Sequence, residues 1–197
     1  WALVPVKPFW QAKTRLAGVL SPEQRAGLSR EFLTHTLQVL ERTPQVARTL
    51  VISRDPEALA LAQVHGAHTL AEVGLPDLNT ALQQGIRVAQ DSGVRAVLIL
   101  PSDLPHLSTG DVHQLISLAK SKRAVVIAPD RHATGTNALL LQPPNVIAPA
   151  FGPGSFERHL ALAARAGVRA RICRRPGLAL DVDVPDDLHL YQLAQKI

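Results

Sequence analysis

Three aspartates follow apolar segments that have the character of buried strands. Asp103 comes shortly after Val97–Leu100, and Asp181 and Asp183 lie in the segment LALDVDV near the C-terminus. Carboxylates beside buried strands are costly unless a positive charge meets them. Mg²⁺ suits them because it prefers hard oxygen ligands, and it commonly brings substrate phosphates with it. The three aspartates are therefore a candidate magnesium site, although a D-x-D pair alone also fits a polar turn before a helix.

A basic loop follows the first apolar segment of the chain. Lys7, Lys13 and Arg15 lie close together there. Lysine supplies a mobile point charge, and arginine holds phosphate oxygens through two parallel hydrogen bonds. The three cations suit a triphosphate and a pyrophosphate leaving group, and they also fit an ordinary solvated loop. The sequence has no GxxxxGK[ST] motif, so a P-loop protein is excluded. Acids and cations together favour chemistry on a nucleoside triphosphate.

Two later segments are suited to a small anionic ligand. In PDRHATGTNALL, Gly135 permits close backbone approach, while Thr136 and Asn137 supply a hydroxyl and an amide. In FGPGSFERH, Gly152 frees the backbone and Ser155 begins a helix. The first N–H groups of a helix favour an anion. Each segment also fits a plain turn or helix cap.

Asn79 and Thr80 open a predicted helix, where they suit either a nucleotide base or simple capping. Three histidines, His106, His132 and His159, lie near the proposed site in the sequence. No pair of them has the spacing of metal ligands. We expect these histidines on the surface or in a supporting role.

The composition predicts one globular domain spanning residues 1–197. Apolar residues make up 46% of the chain and the net charge is +5. Lys and Arg are scattered and aromatic residues reach only 4%, so no nucleic-acid partner is expected. No apolar run approaches a membrane span of roughly 18 residues and no signal peptide is apparent. The single Cys173 excludes an internal disulfide and fits a reducing cytoplasm.

Strand-like and helix-like segments alternate along the chain, which predicts a layered α/β fold with a mostly parallel sheet. The predicted strands are 2–6, 49–53, 68–70, 96–100, 124–128, 138–141 and 168–173. The predicted helices, with their capping residues, are 21–42, 55–66, 78–91, 155–166 and 185–195, with one more beginning at Ser108. Asp103, Asp130 and the basic loop follow strands, at the sheet edge where such folds bind ligands.

The ordered set of segments resembles a known enzyme family. VPVKPFWQAKTRLA, LNTAL, LPSDLP, PDRHATGTNAL, FGPGSFERH and LDVDVPDDL span nearly the whole chain. Together they resemble the guanylyltransferases of coenzyme F-420 biosynthesis, which act on 2-phospho-L-lactate or phosphoenolpyruvate. The resemblance implies a single-domain, Rossmann-like nucleotidyltransferase fold of the glycosyltransferase-A type, with a mostly parallel mixed sheet flanked by helices. It also implies GTP and a phosphorylated three-carbon acid as substrates, pyrophosphate release, and a homodimer.

The same resemblance implies roles for individual residues. The implied Mg²⁺ ligands are Asp103, Asp181 and Asp183. The implied contacts with the three-carbon acceptor are Lys7, Thr136, Gly152 and Ser155. The resemblance also places Asn79 and Thr80 on the nucleotide side. The charges of the basic loop predict Lys13 and Arg15 as further nucleotide contacts, and the predicted catalytic set is Lys7, Lys13, Arg15 and Asp103. The chain departs from the family pattern at His132-Ala133, where relatives are richer in glycine, and at Phe9-Trp10, where smaller residues are common.

Other interpretations remain open. A glycosyltransferase of the same sheet type also uses a D-x-D pair, and a related nucleotidyltransferase would act on 3-phosphoglycerate or a sugar phosphate. A non-catalytic binding protein is a further alternative. A molybdopterin-type nucleotidyltransferase is disfavoured, because VPVKP stands where that class has a glycine-rich loop. The Arg- and Ala-rich composition favours phosphoenolpyruvate as the acceptor.

Overall fold

The computed structural model describes residues 1–195, and a mixed sheet of seven strands forms its centre within that range. The strands are Ala2–Pro5 (β1), Thr49–Ser53 (β2), His68–Ala71 (β3), Val97–Ile99 (β4), Ala124–Pro129 (β5), Thr136–Gln142 (β6) and Arg171–Ile172 (β7). Their order is β3-β2-β1-β4-β6-β5-β7. β6 is antiparallel to both of its neighbours, and the other pairs are parallel. The expected mostly parallel, mixed sheet is confirmed.

Helices cover both faces of this sheet. They are Pro22–Glu41 (α1), Pro56–Val64 (α2), Leu78–Asp91 (α3), Thr109–Ser117 (α4), Ser155–Arg165 (α5), Pro176–Ala179 (α6) and Pro185–Ala194 (α7). One buried cluster packs α1, α2 and α4 against one face, and a second packs α3 and α5 against the other. None of the helices in residues 1–195 combines the length and apolar character needed to cross a membrane.

Local sequence explains where the regular elements begin. Ala2 and Val4 belong to one buried cluster and Leu3 to the other, because successive strand residues point to opposite faces. At the start of α1, the Ser21 side chain accepts from the backbone N–H of Gln24, and the Gln24 side chain accepts from the backbone N–H of Ser21. This reciprocal capping box, with proline in the first turn, fixes the predicted helix start.

Two predicted strands are wrong in detail, and one short helix was not predicted. The strand expected at 168–173 shrinks to Arg171–Ile172, whose side chains are exposed on the edge of the sheet. The strand expected at 138–141 is longer and starts at Thr136, because its pairing with β5 continues through a bulge. The helix Pro176–Ala179 was not predicted, since four residues give no helical periodicity. Two short 3-10 turns, Phe9–Gln11 and Thr14–Leu16, also lie in the basic loop.

Candidate active site

A cavity of about 410 Å³ lies at the carboxyl ends of β1, β2 and β4. Basic and acidic groups meet at one end of it, and apolar side chains form much of its wall. Among the predicted site residues, its lining includes Lys7, Lys13, Arg15, Asp103, Asp181 and Asp183. Residues from distant parts of the chain therefore converge where the parallel strands end, as expected for this sheet type.

Lys13 is the centre of the charged end. Its Nζ lies 2.6 Å from Asp103 Oδ2 and 3.7 Å from Asp183 Oδ1, and only 7% of its side chain is exposed. Arg15 Nη1 donates to Asp183 Oδ2 at 3.1 Å, but the Arg15 side chain is 70% exposed. A buried ammonium therefore balances two of the carboxylates for which the sequence predicted a metal counter-charge.

The backbone of Lys13 is in the left-handed region, with φ 54° and ψ 37°. This conformation costs a non-glycine residue roughly 1–2 kcal/mol, so the surrounding structure must hold it. The loop is anchored before Lys13: the backbone N–H of Phe9 donates to Asp55 Oδ2 at 2.8 Å. Arg25 Nη1 donates to the Ala12 carbonyl at 3.0 Å. These anchors direct the Lys13 side chain towards the acids.

Asp181 has a different environment from the other two acids. Asn137 Nδ2 donates to Asp181 Oδ1 at 3.2 Å, and the backbone N–H of Val182 donates to the Asp103 carbonyl at 3.2 Å. Burial and then the charge of Asp103 raise the pKa of Asp181. Burial alone would lower the pKa of Lys13, but Asp103 and the other acids outweigh it and the pKa is raised. The group is an electrostatically coupled cluster.

The carboxylates fit a divalent cation only in an open arrangement. Among residues 1–195, no set of three His, Cys, Asp or Glu side chains is close enough to hold a metal ion by itself. Mg²⁺ usually takes one or two carboxylates and completes its shell with water and substrate phosphates. Asp103 and Asp183 are partly exposed to the cavity and supply oxygen donors of that kind. The donor set therefore suits a magnesium ion that arrives with a phosphate ligand.

Three of the predicted acceptor residues, Thr136, Gly152 and Ser155, are absent from the cavity lining and lie around the start of α5. Thr136 Oγ1 is 3.0 Å from His159 Nδ1, and both residues are buried. Gly152 has φ 119°, a conformation that favours glycine, and buried Ser155 is the first residue of α5. α5 has no side-chain cap, and the backbone N–H groups of Ser155 and Phe156 donate to the Gly152 and Thr134 carbonyls. The helix start therefore offers an anion the positive end of its dipole rather than a set of free N–H groups.

Asn79 connects this region to α3. Its Nδ2 donates to the Phe151 carbonyl at 3.1 Å, and its Oδ1 accepts from the Phe151 N–H at 2.7 Å. The backbone N–H of Thr80 donates to Asp77, the capping residue of α3. Both residues have structural partners in this state, while their neighbours Asp77 and Leu78 line the cavity.

The sequence interpretation missed a polar pair at the other end of the cavity. Arg54 Nη2 donates to Glu72 Oε1 at 2.7 Å, and both residues line the cavity. Ile52 and Leu78 supply apolar wall nearby. Arg54 directly follows β2 and Glu72 directly follows β3. Asp103 was predicted as a site residue because it follows a strand, and the same criterion would have identified Arg54 and Glu72.

His159 is fully buried, so the expectation of a surface position is wrong for this histidine, whereas a supporting role remains open. Its Nε2 accepts from the backbone N–H of Ala150 at 2.9 Å. Burial, followed by the nearby charge of Arg158, lowers the pKa of His159 to about 4. The ring is therefore neutral at pH 7.

Comparison with known proteins places this geometry in context. Residues 1–193 match the family described as guanylyl transferase CofC like. The phosphoenolpyruvate guanylyltransferase of Rubrobacter xylanophilus is 46% identical over 188 residues, which cover 95% of this chain and 91% of that protein. The 2-phospho-L-lactate guanylyltransferase of Methanothermobacter thermautotrophicus is 39% identical over 187 residues, which cover 95% and 81%.

Solved structures agree on the fold. A putative nucleotide-diphospho-sugar transferase from Desulfovibrio desulfuricans G20 superposes with a TM-score of 0.82 at 21% identity, covering 99% of this chain and 87% of that one. A 4-diphosphocytidyl-2C-methyl-D-erythritol synthase gives a TM-score of 0.68 at 16% identity, covering 98% and 97%. At such identities the likeness establishes architecture alone, and it confirms the predicted nucleotidyltransferase fold.

Proposed function

The chain belongs to the family of CofC-like guanylyl transferases, and from that membership we propose that it joins the guanylyl group of GTP to a phosphorylated three-carbon acid with release of pyrophosphate. The family inferred from the ordered segments is thus confirmed, and the protein is a nucleotidyltransferase. Phosphoenolpyruvate is the proposed acceptor, because similar proteins are named phosphoenolpyruvate guanylyltransferases. The alternative acceptor is 2-phospho-L-lactate, for which another relative is named.

The observation that carries the proposal is the cavity that Lys7 lines and in which Lys13 and Arg15 pair with a carboxylate cluster. In the reaction, an oxygen of the acceptor phosphate attacks the α-phosphorus of GTP in line, and pyrophosphate leaves. A phosphate monoester is already anionic, so no strong general base is required. Catalysis then depends on positioning and charge neutralisation, which the cations of the basic loop supply.

We propose that the nucleotide extends along the cavity from the basic loop. The triphosphate lies against Lys13 and Arg15, and the base lies between the apolar walls towards Arg54 and Glu72. The predicted nucleotide roles of Asn79 and Thr80 stay predictions. The acceptor is assigned to Lys7 and the start of α5, with Thr136, Gly152 and Ser155, as the family resemblance implied.

Magnesium is part of this proposal. Asp103 and Asp183, with Asp181 beside them, would hold the ion once phosphate oxygens complete its shell. When bound, the ion would neutralise charge on the phosphates. In the present arrangement Lys13 carries that counter-charge for Asp103.

The cellular setting is proposed on the same basis. The family resemblance implies a homodimer that acts in coenzyme F-420 biosynthesis. The single cysteine, Cys173, is a buried free thiol, which suits the reducing cytoplasm that we propose as its location.

A matrix of nucleotides against acceptors, with pyrophosphate as the readout, tests the function. GTP with phosphoenolpyruvate should release pyrophosphate fastest. Pyrophosphate release without an acceptor, or transfer from a nucleotide sugar instead, would overturn the proposal.

A further inference from the structure

The hydrogen bonds of His159 determine which ring nitrogen carries the proton. A backbone N–H can only donate, so Nε2, which faces the N–H of Ala150, must be an acceptor. The ring is fully buried and neutral at pH 7, because its pKa is lowered to about 4. A neutral imidazole has one N–H, which must then be on Nδ1. Nδ1 therefore donates to Thr136 Oγ1 across 3.0 Å.

This tautomer sets the direction of the Thr136 hydroxyl. The oxygen accepts from His159, so the hydroxyl keeps its own hydrogen for another partner. Thr136 is only 8% exposed, and within residues 1–195 its side chain has no hydrogen bond other than that to His159. A buried hydroxyl hydrogen without a protein acceptor is uncommon in a folded protein, so this hydrogen is available to an oxygen of a ligand or a water. With the opposite tautomer, Thr136 would donate to the ring and offer a ligand only lone pairs.

The surroundings of Thr136 favour an anionic ligand. The uncapped first turn of α5 lies beside the Thr136 segment, because the backbone N–H of Phe156 donates to the Thr134 carbonyl. The positive end of the α5 dipole and a free hydroxyl hydrogen both favour a negatively charged oxygen. We propose that His159 is a positioning residue, whose Nδ1–H makes the Thr136 hydroxyl a fixed donor to a phosphate or carboxylate oxygen of the three-carbon acceptor. This inference rests on the proposed function.

Two substitutions at residue 159 separate the two hydrogen bonds. His159→Asn places an amide N–H near the Nδ1 position, so it preserves the donor to Thr136 and loses the acceptor for Ala150. His159→Gln places an amide oxygen near the Nε2 position, so it preserves the bond to Ala150 and loses the donor. His159→Gln should raise the KM for phosphoenolpyruvate about tenfold, as expected for one hydrogen bond to a charged group. Its KM for GTP should stay within about twofold, and His159→Asn should change the acceptor KM by less than about threefold.

A double-mutant cycle with Thr136→Val tests whether the effect passes through the hydroxyl. Because Val lacks the hydroxyl, adding His159→Gln should not raise the acceptor KM further. If His159→Gln has its full effect in the Val background, or if both residue-159 variants change the acceptor KM equally, the role is structural and the inference fails. Unchanged acceptor KM in all variants would overturn it as well.

A spectroscopic measurement keeps the test independent of variants and of activity. ¹⁵N NMR of the wild-type imidazole at pH 7 should show a protonated Nδ1 and an unprotonated Nε2 at His159. The reverse tautomer would overturn the inference even if the enzyme is active. Wild-type protein that shows the expected tautomer but releases no pyrophosphate with any three-carbon acid would instead refute the proposed function.

Discussion

At the scale of single residues, Lys13 combines two features that seldom occur together. It adopts a left-handed backbone without being glycine, and its ammonium is buried between acids. Glycine would relieve the strain but has no side chain to meet Asp103. The strain is therefore the cost of placing a cation at the end of β1.

Paired substitutions separate these two features. Lys13→Ala and Lys13→Gly both remove the ammonium and leave Asp103 without its partner, so both should be less stable than wild type by about 1–3 kcal/mol. They differ in a Cβ atom, which is strained at φ 54°. We expect the Gly variant to exceed the Ala variant in unfolding free energy by about 1 kcal/mol, measured by urea denaturation. If the Ala and Gly variants have equal unfolding free energies, the loop relaxes in the Ala variant and the left-handed backbone at residue 13 is not strained.

Residue identity predicted the cluster but not its internal pairing. The types of Lys13, Asp103 and Asp183, each of which follows an apolar segment, were sufficient to predict that charges meet at one sheet edge, although Asp183 follows the helix α6 and not a strand. They were not sufficient to show that the lysine reaches Asp103, because that depends on the left-handed turn at Lys13. The burial of His159 could not be predicted from the sequence either, because its contacts with Ala150 and Thr136 depend on how α5 packs.

At the scale of elements, the short helix α6 holds the C-terminal acids in place. Asn137 Nδ2 donates to the Leu178 carbonyl at 3.0 Å and to the Ala179 carbonyl at 3.2 Å. The chain then continues directly to Asp181, which the same amide contacts. One buried side chain on β6 therefore fixes the approach of the acids to the cavity.

Gly177 tests how tightly α6 is packed. A Cβ at this residue would lie 2.2 Å from Asp111 Oδ2 and 2.5 Å from the His106 carbonyl, so Gly177→Ala must displace α6 or α4. We expect a loss of about 1–3 kcal/mol in unfolding free energy, together with reduced pyrophosphate release, since Asp181 moves with α6. Thermal and urea denaturation measure the first effect.

Gly27 is the matched control, because it lies in α1 and a Cβ there meets nothing within 4 Å. Gly27→Ala should raise stability by roughly 0.5–1 kcal/mol through helix propensity. A Gly177→Ala variant as stable and active as wild type would contradict the tight packing of α6.

The elements that could be predicted were those with their own local signals. α1 has a capping box at Ser21, and the central strands are continuous apolar runs, so both followed from sequence. β7 and α6 have no such signal. Arg171–Ile172 is a strand only because it pairs with β5. α6 is held by two side-chain contacts, since Asn137 donates to the Leu178 carbonyl and Arg175, directly before α6, donates to Asp111 of α4. Their structure is imposed by tertiary contacts.

At the scale of the whole molecule, the two proposed substrate regions lie along one edge of the sheet, because β6 is antiparallel to β4 and begins where β4 ends. β1, β2 and β4 end at the cavity, whereas Thr136 of β6 and the start of α5 form the second region. The C-terminal segment crosses between them, because Asp181 bonds to Asn137 and Val182 bonds to Asp103. A ligand bound in either region therefore lies near the same carboxylates. Their charge is balanced by residues that only the folded chain brings together.

This coupling predicts how magnesium and nucleotide act on stability. Lys13 already neutralises Asp103, and residues 1–195 contain no three-ligand set for a metal, so Mg²⁺ alone should shift Tm by less than about 1 °C. GTP brings the missing phosphate oxygens. GTP with Mg²⁺ at roughly 100 Kd should raise Tm by about 5–10 °C, and a chelator should remove most of the shift. In Lys13→Ala the acids lose their cation, so Mg²⁺ alone should become stabilising. If Mg²⁺ alone raises the Tm of the wild type as much as GTP with Mg²⁺ does, the carboxylates bind the metal without phosphate. That result would contradict the open arrangement described for this site.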